Sequence, residues 1–366
     1  MGCSRTSFTN LNFNTASLLH AKASPIFDHM QKLIFSLLLL STVAAFSQQD
    51  TKSLFETART FQRQGDYANA VLVLNRALEQ QPNDLGILRE LAFTYYLQRD
   101  FVKAKQVAMP LVDRPDADVQ TFQMMGMIYK AMEERKDCEK LYRQGLKKFP
   151  NSGVLYNEYG EMLWTKQDYS AIKWWEKGIE VDPNYSSNYY NAAKHYYFTF
   201  DKVWPILYGE IFLNLESYSK RTSEIKDLVF QSYKKLFAET DVQGKQDLKN
   251  PFVAAYLNTL TKESQAIREG ITPESLTVLR TKFILDWYEK EGTKFPFRLF
   301  DYHRQLLKEG MFDAYNQWIF GAVQNLPAFQ IWTNTHPEAY SQFTSFQKGR
   351  IFKLPENQYY QTIVSK

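Results

Sequence analysis

The chain is nearly without cysteine. Cys3 and Cys138 are the two it has in 366 residues, so no disulfide framework is available and packing must supply its stability. It also lacks a dominant charge. Lys and Arg total 44 against 40 Asp and Glu, and setting aside residues 1–47 removes only three cations and one acid. A near-neutral chain has no basic stripe to follow a phosphate backbone, which argues against a nucleic-acid partner. The motifs of catalysis are missing as well: no His-Glu-x-x-His, no Cys-x-x-Cys ladder, no Gly-x-Ser-x-Gly elbow, no phosphate-cradling glycine loop and no dinucleotide fingerprint. Among the five histidines, His195, His303 and His336 have no metal-ligand spacing, so neither a metal nor a cofactor is expected. Asp301 and His303 could pair as a base and its orienter, but no nucleophile stands beside them. Carboxylates such as Glu133 and Glu134 suit a solvated helix face. The chain is therefore read as non-enzymatic.

No apolar run reaches the roughly 20 residues that a membrane-spanning helix requires. The longest begins after Lys32 and ends at the small-residue site Ala45-Phe46-Ser47, before Gln48. Residues 30–47 are thus expected to be a secretory signal peptide, leaving an exported mature chain, periplasmic or secreted, with no transmembrane segment. A retained anchor is the alternative. Residues 1–29 are rich in Ser, Thr and Asn, lack periodicity and precede the leader, so they are expected to be a disordered upstream extension with Met30 as the natural start. Met1-Gly2-Cys3-Ser4 also fits an acylated, cytosolic N-terminus, a reading that leaves the apolar run unexplained.

From Leu54 onward the residues recur with a period of 34. Tyr67, Phe101, Arg135 and Tyr169 are one such series, Leu54, Leu88, Phe122 and Tyr156 another, and the small residues Ala58, Ala92, Gly126 and Gly160 a third. Self-similarity at this period marks stacked helix pairs. Within each unit the first helix carries large, apolar and small residues, as in Leu88, Leu91, Ala92 and Tyr95. The second opens on an aromatic in three units (Tyr67, Phe101 and Tyr169, with Arg135 in the other) and carries Ala70, Ala104, Cys138 or Ala171, and a proline follows at Pro82, Pro150 and Pro183. This pattern resembles the tetratricopeptide repeat family. The resemblance implies a right-handed α-solenoid at 48–217 followed by an irregular helical domain at 218–366. In the second unit Pro110 interrupts the second helix and predicts a kink or early stop near Met109. One residue is missing between Tyr169 and Ala171, and a fifth first helix around Tyr189 and Ala192 has a partner that departs from the pattern at Trp204-Pro205. Cys138, where the family has a small alanine, is read as a buried small hydrophobe.

Beyond Tyr218 the periodicity stays helical. Leu276, Leu279, Phe283 and Trp287 form one stripe opened by Thr272-Pro273, and a helix from Phe297 to Glu309 stops at Gly310. Phe312, Ala314, Trp318 and Gly321 echo Tyr169, Ala171, Trp175 and Gly178, which suggests a degenerate repeat at Phe297 to Pro327; ordinary amphipathic helices explain the same residues. A last helix should open at Pro337 and an extended tail begin near Phe352. The aromatics of this region, which raise the aromatic share of the chain to 16%, are expected to be core.

What the resemblance implies about function is a surface. In this family the concave side is lined by first-helix positions between the packing ones. That register selects Arg59 and Arg63, then Arg89, Phe93 and Tyr96, then Gln123, Met127 and Lys130, then Asn157, Glu161 and Trp164, then Tyr190, Lys194 and Tyr197. A groove of aromatics and scattered cations suits a protein or peptide segment. The Lys and Asn clamp that some members use for a terminal carboxylate is absent, since Phe55, Arg59, Arg89 and Phe93 occupy its sites. The leading reading is a non-catalytic, exported scaffold that binds a protein or peptide. Two alternatives remain: a carbohydrate-handling helical-repeat protein, whose aromatics stack on sugar rings, and a structural factor in envelope assembly.

Overall fold

A computed structural model describes residues 51–238 and 241–361. The expected leader at 30–47 and the extension at 1–29 lie outside the described residues. Every regular element among the described residues is helical. They fall into two compact units that meet at Ile87 and Leu88.

The first unit holds helix α1 (51–63) and helix α2 (Tyr67–Gln80). Its core is small: Ala58, Ala70, Leu74 and Ala77 are fully buried. Thr51 Oγ1 donates to Gln80 Oε1 at 2.8 Å, tying the open ends of the pair together.

Helix α3 (Leu85–Leu97) carries the chain into the second unit. There follow α4 (Phe101–Val112), α5 (Val119–Ala131), α6 (Arg135–Lys148), α7 (Gly153–Trp164), α8 (Ala171–Val181), α9 (Ser186–Tyr197), α10 (Val203–Leu215) and α11 (Thr222–Ala238). Each packs on the next from α4 to α11. First helices also touch first helices, α5 on α7, α7 on α9 and α9 on α11. Direct contact along one row of helices makes that row the inner side of the stack.

One turn generates the period. The first helix of each unit ends on a residue in the left-handed conformation: Gly65 (φ 78°), Arg99 (φ 64°), Glu133 (φ 58°) and Gln167 (φ 59°). At each, that residue's N–H bonds the carbonyl three back and the following N–H bonds the carbonyl five back, as in Asp66 to Phe61, Asp100 to Tyr95, Glu134 to Tyr129 and Asp168 to Leu163. These paired bonds satisfy the carbonyls that a helix end leaves open. Asp66 and Asp100 then cap the next helix, accepting from Asn69 N and Lys103 N, each at 3.1 Å.

Small residues set how closely a pair can approach. A Cβ on Gly126 would fall 2.1 Å from the Tyr142 hydroxyl, and one on Gly160 would fall 2.4 Å from the Trp175 ring nitrogen. Glycine on α5 and α7 is thus the complement of a buried ring on α6 and α8. In the two earlier units alanine takes the first place, and Ala108 and Leu74, both buried, stand one and two periods before Tyr142. Cys138 packs in the same layer, 1% exposed; burial pushes its thiol up to about 11, which suits a core residue.

Two departures from the sequence reading have local causes. Helix α4 does not stop near Met109 but runs to Val112, because Pro110 lies in its last turn and removes a single backbone bond. Pro205 falls in the first turn of α10, where its missing N–H has no partner to lose. Helix α10 is buried on all sides, with twelve of its thirteen residues buried, because helices from both halves cover it. The expected boundary at 217/218 falls inside the second unit, between α10 and α11, which pack on each other.

The remaining helices are α12 (Pro251–Lys262), α13 (Pro273–Lys290), α14 (Arg298–Lys308), α15 (Phe312–Asn316), α16 (Ala322–Gln324), α17 (Leu326–Thr335) and α18 (Pro337–Gly349). Helix α13 opens on a reciprocal cap in which Thr272 and Ser275 bond each other's backbone. Its stripe of Leu276, Leu279, Phe283 and Trp287 is buried. Gly310 (φ 70°) ends α14 with the same pair of bonds seen in the repeats, Gly310 to Leu307 and Met311 to Leu306. Residues 298–316 therefore repeat the helix–turn–helix of the earlier units, after which a π-turn at Gln317–Gly321 breaks the second helix.

Two stability measurements test this account. Gly126→Ala should cost about 1–3 kcal/mol by overpacking against Tyr142, and the loss should shrink in the Gly126→Ala/Tyr142→Ala double variant relative to additivity; urea denaturation of the cycle reads both. Arg99→Gly and Gln167→Gly should each raise stability by up to about 1 kcal/mol, since glycine relieves the left-handed cost at an exposed turn. A loss of stability in both would contradict the turn assignment.

Candidate functional site

The sequence-selected residues are placed as follows, each unit taken by itself. In the first unit Arg59 lies over the Phe55 ring at 4.5 Å and beside Glu56 at 3.8 Å, and Arg63 donates to Thr60 at 2.9 Å; both are exposed.

In the second unit most of the polar ones reach across to the next repeat. Arg89 holds both oxygens of Asp118, at 2.8 and 2.6 Å, and Asp118 is the cap of α5. Gln123 and Lys130 converge on Glu158, at 3.0 and 2.5 Å, and the Tyr142 hydroxyl joins them at 3.2 Å. Asn157 donates to Glu161 at 3.0 Å and accepts from Asn191 at 2.8 Å. Tyr190 and Lys194 both engage Glu224 on α11, at 2.5 and 2.7 Å. Burial works against the Glu224 charge, but hydrogen bonds from Lys194 and Tyr190 outweigh it and hold the carboxyl below its usual range.

The expectation of scattered cations therefore changes. The basic residues of this face in the second unit are matched by Asp118, Glu158 and Glu224, which the sequence reading did not single out. They could have been found at about one repeat from their partners.

The aromatics of the same face divide in two. Phe93 stacks on Tyr96 (6.3 Å, 11°), and both remain partly exposed. Tyr197 is partly exposed as well, with Lys235 3.6 Å over its ring. Beside it lies a cavity of about 360 Å³ lined by Phe198, Phe200, Lys202 and Lys245 among others. Trp164 is instead wedged between Tyr169, Trp175 and His195 at 5.5–5.7 Å, and is partly core. Burial lowers the His195 pKa, so its ring is a packing element.

Asp301 and His303 are not a pair. Asp301 is exposed and bonds the Tyr288 hydroxyl, while His303 is buried and faces the other way. Its Nε2 meets Glu210 at 2.8 Å, and Arg280 and the Tyr315 hydroxyl, the latter at 2.8 Å, bond the same carboxylate oxygen. Asn214 donates to that hydroxyl at 2.7 Å and receives Arg350 at 2.6 Å. The result is a closed polar cluster in the core, joining α10, α13, α14 and α15. Burial alone would raise the Glu210 pKa; Arg280 and His303 reverse this and hold it at about 2. Burial also lowers the His303 pKa, so the neutral ring donates to the carboxylate. Glu210, Arg280, His303, Tyr315 and Asn214 are all buried and bond one another, which makes the cluster part of the core. The signal was a single acid inside the apolar run of α10 and a single arginine within the apolar stripe of α13.

Among the described residues no group of three or more His, Cys, Asp or Glu could hold a metal ion, and no helix is long and apolar enough to cross a membrane. The paired helices, the recurring turn and the inner row define a helical-repeat protein. A family model described as Tetratricopeptide repeat matches residues 62–125, and the paired helices described above have the fold expected of that family. Several solved structures are similar to it. A thermophilic TPR protein of Thermus thermophilus is 14% identical, with 51% of this chain and 99% of that one covered and a TM-score of 0.40. A tetratricopeptide repeat protein of Parabacteroides merdae is 17% identical, covers 76% and 100%, and has a TM-score of 0.39. YrrB, described as a TPR protein with an unusual peptide-binding site, is 14% identical, covers 53% and 97%, and has a TM-score of 0.35. No curated protein matches the sequence.

The buried cluster carries a pH prediction. Glu210 has a depressed pKa, so its contribution is complete above the ordinary value of 4.5 and is lost as pH falls toward about 2. Neutral His303 adds a loss in the same direction below its ordinary 6.5. Glu210→Gln leaves Arg280 buried without a counter-charge and should cost about 3–5 kcal/mol at pH 7. The same variant should flatten the acid limb of the stability curve. Thermal melts from pH 7 to 3 check both.

Proposed function

We propose that the protein is an exported scaffold that binds a protein or peptide segment along the inner row of first helices, without catalysis. The observation that carries this reading is the partly exposed Phe93 and Tyr96 pair beside an Arg89 already oriented by Asp118. An aromatic platform next to an ordered guanidinium is the combination that dominates binding energy at interfaces. Further along, Tyr197 with Lys235 repeats the pairing of ring and cation. The polar ladder between repeats supports the reading in another way, since side chains held in place lose little freedom on binding.

Export rests on the leader-like segment at 30–47, with a mature chain beginning near Gln48. The carbohydrate alternative calls for exposed aromatics beside paired acids. The acids of the inner row are instead engaged by Arg89, Lys130 and Lys194.

The test is a pull-down of extracytoplasmic partners, with the bait's own N-terminus sequenced from the same cell fraction. Phe93→Ala/Tyr96→Ala should lower partner recovery at least roughly tenfold, a hot-spot loss, while the melting temperature stays near that of the parent. Unchanged recovery would remove the inner row from the interface, and an unprocessed Met1 or Met30 terminus would remove the export claim.

A further inference from the structure

The segment after α18 occupies a built site on the protein's own surface. Residues 351–361 form no helix, and a turn at 356–357 has Asn357 at φ 74°. What holds the segment is aimed at its backbone as much as at its side chains. Asn184, in the turn between α8 and α9, donates from Nδ2 to the Leu354 carbonyl at 3.0 Å and accepts the Leu354 N–H on Oδ1 at 2.9 Å. Asn250 uses its oxygen to cap α12 and its nitrogen to donate to the Tyr360 carbonyl at 2.6 Å. In the reverse sense the first N–H of α14, on Arg298, donates to the Gln358 side chain at 2.6 Å.

Three side chains serve as anchors. Phe352 packs against Tyr302 at 5.6 Å with the Arg298 and Arg350 guanidiniums over its ring. Leu354 is 4% exposed. Tyr360 stacks flat on Phe252 at 4.4 Å, closed in by Phe295 and Phe297, and its hydroxyl donates to the Pro296 carbonyl at 2.5 Å. Between the anchors Lys353, Pro355, Glu356 and Asn357 point to solvent.

Backbone bonds for affinity with spaced pockets for selected side chains are the general logic of peptide recognition by an extended strand. Both asparagines bond the backbone of an anchor residue, so they fix its position without adding to the demand that its side chain makes. The site therefore accepts a segment that offers the same anchors at the same spacing, with a side-chain acceptor such as that of Gln358 for the Arg298 N–H, and the segment of this chain is one such ligand held at high effective concentration.

We propose that the face formed by the α8–α9 turn, the start of α12 and the start of α14 is a second peptide-binding site, distinct from the inner row and occupied in the resting protein by residues 352–361. Its partner is a segment carrying an aromatic, one spacer and an aliphatic residue, then a short polar turn, then a tyrosine. Such a segment enters by displacing the protein's own.

The experiment uses the full chain with Leu354→Ala and Tyr360→Ala, which weakens the resident segment and keeps the site. The probe is a fluorescein-labelled synthetic peptide of residues 350–361, followed by anisotropy. Saturable binding to this variant is expected, with binding to the parent weaker by roughly tenfold or more because the resident segment competes. Adding Asn184→Ala, at an exposed turn, should weaken peptide binding severalfold. A scrambled peptide should not bind. No saturable binding to a variant with parental helical content, or equal binding of the scrambled peptide, overturns the proposal. Should the double variant fail to fold, hydrogen exchange on the parent decides: excess peptide should speed exchange across 352–361, and unchanged protection overturns the proposal. Phe93→Ala/Tyr96→Ala leaves this peptide's binding unaltered, so the outcome is independent of the inner-row reading.

Discussion

The left-handed residue that ends each first helix is the constraint on which the rest of the repeat array depends. It reverses the chain in three residues and closes the two carbonyls that would otherwise face nothing. Because it recurs at 65, 99, 133 and 167, it sets the phase of every residue that follows. Only the first of the four is glycine. The others carry Arg, Glu and Gln, which tolerate the conformation at a cost of about 1–2 kcal/mol each. The paired backbone bonds and the packing of the helices they join must exceed that cost. The same turn at Gly310 extends the rule into the C-terminal helices, where the sequence similarity has almost vanished.

With the phase set, two kinds of contact follow from spacing. One is steric: Gly126 under Tyr142 and Gly160 under Trp175 let each pair close to within van der Waals distance. The other is electrostatic: polar residues on the inner row find partners about one repeat away, as Arg89 finds Asp118 and Lys194 finds Glu224. These bridges are part of what keeps the inner surface ordered, and they leave the rings of Phe93, Tyr96 and Tyr197 as the half-exposed elements of that surface. Proposed recognition on the inner row thus rests on aromatics whose polar neighbours are already engaged.

The C-terminal helices obey a different rule. A closed polar cluster around Glu210 sits where a repeat array would have only apolar residues, and it joins helices far apart in sequence. Replacing charge by hydrocarbon is often neutral for stability, so such a cluster argues for specificity of arrangement: Glu210, Arg280, His303 and Tyr315 can be satisfied together in one packing only. The resident segment at 352–361 shares α14 with this cluster but is held in another way, by polar side chains directed at its backbone groups.

Much of this was legible in the chain itself. The period of 34, the small-residue series, the glycine that ends α14 and the helix starts at Thr272 and Pro337 are local properties, since helix geometry and backbone sterics act within a few residues. The register of the first helices was legible too, because the phase of a helix follows from its period. Their pairing was not, and neither were Asp118, Glu158 and Glu224 as partners of the cations, the separation of Asp301 from His303, the convergence on Glu210, or the hold of Asn184 and Asn250 on the final segment. Those contacts join residues as many as 170 positions apart, and periodicity carries no information about which distant side chains meet. The amino-acid order by itself determined the helices, their turns and the face each presents; the tertiary structure decided which polar groups share a buried site, because only close packing brings them within bonding distance and removes the water that would otherwise satisfy them.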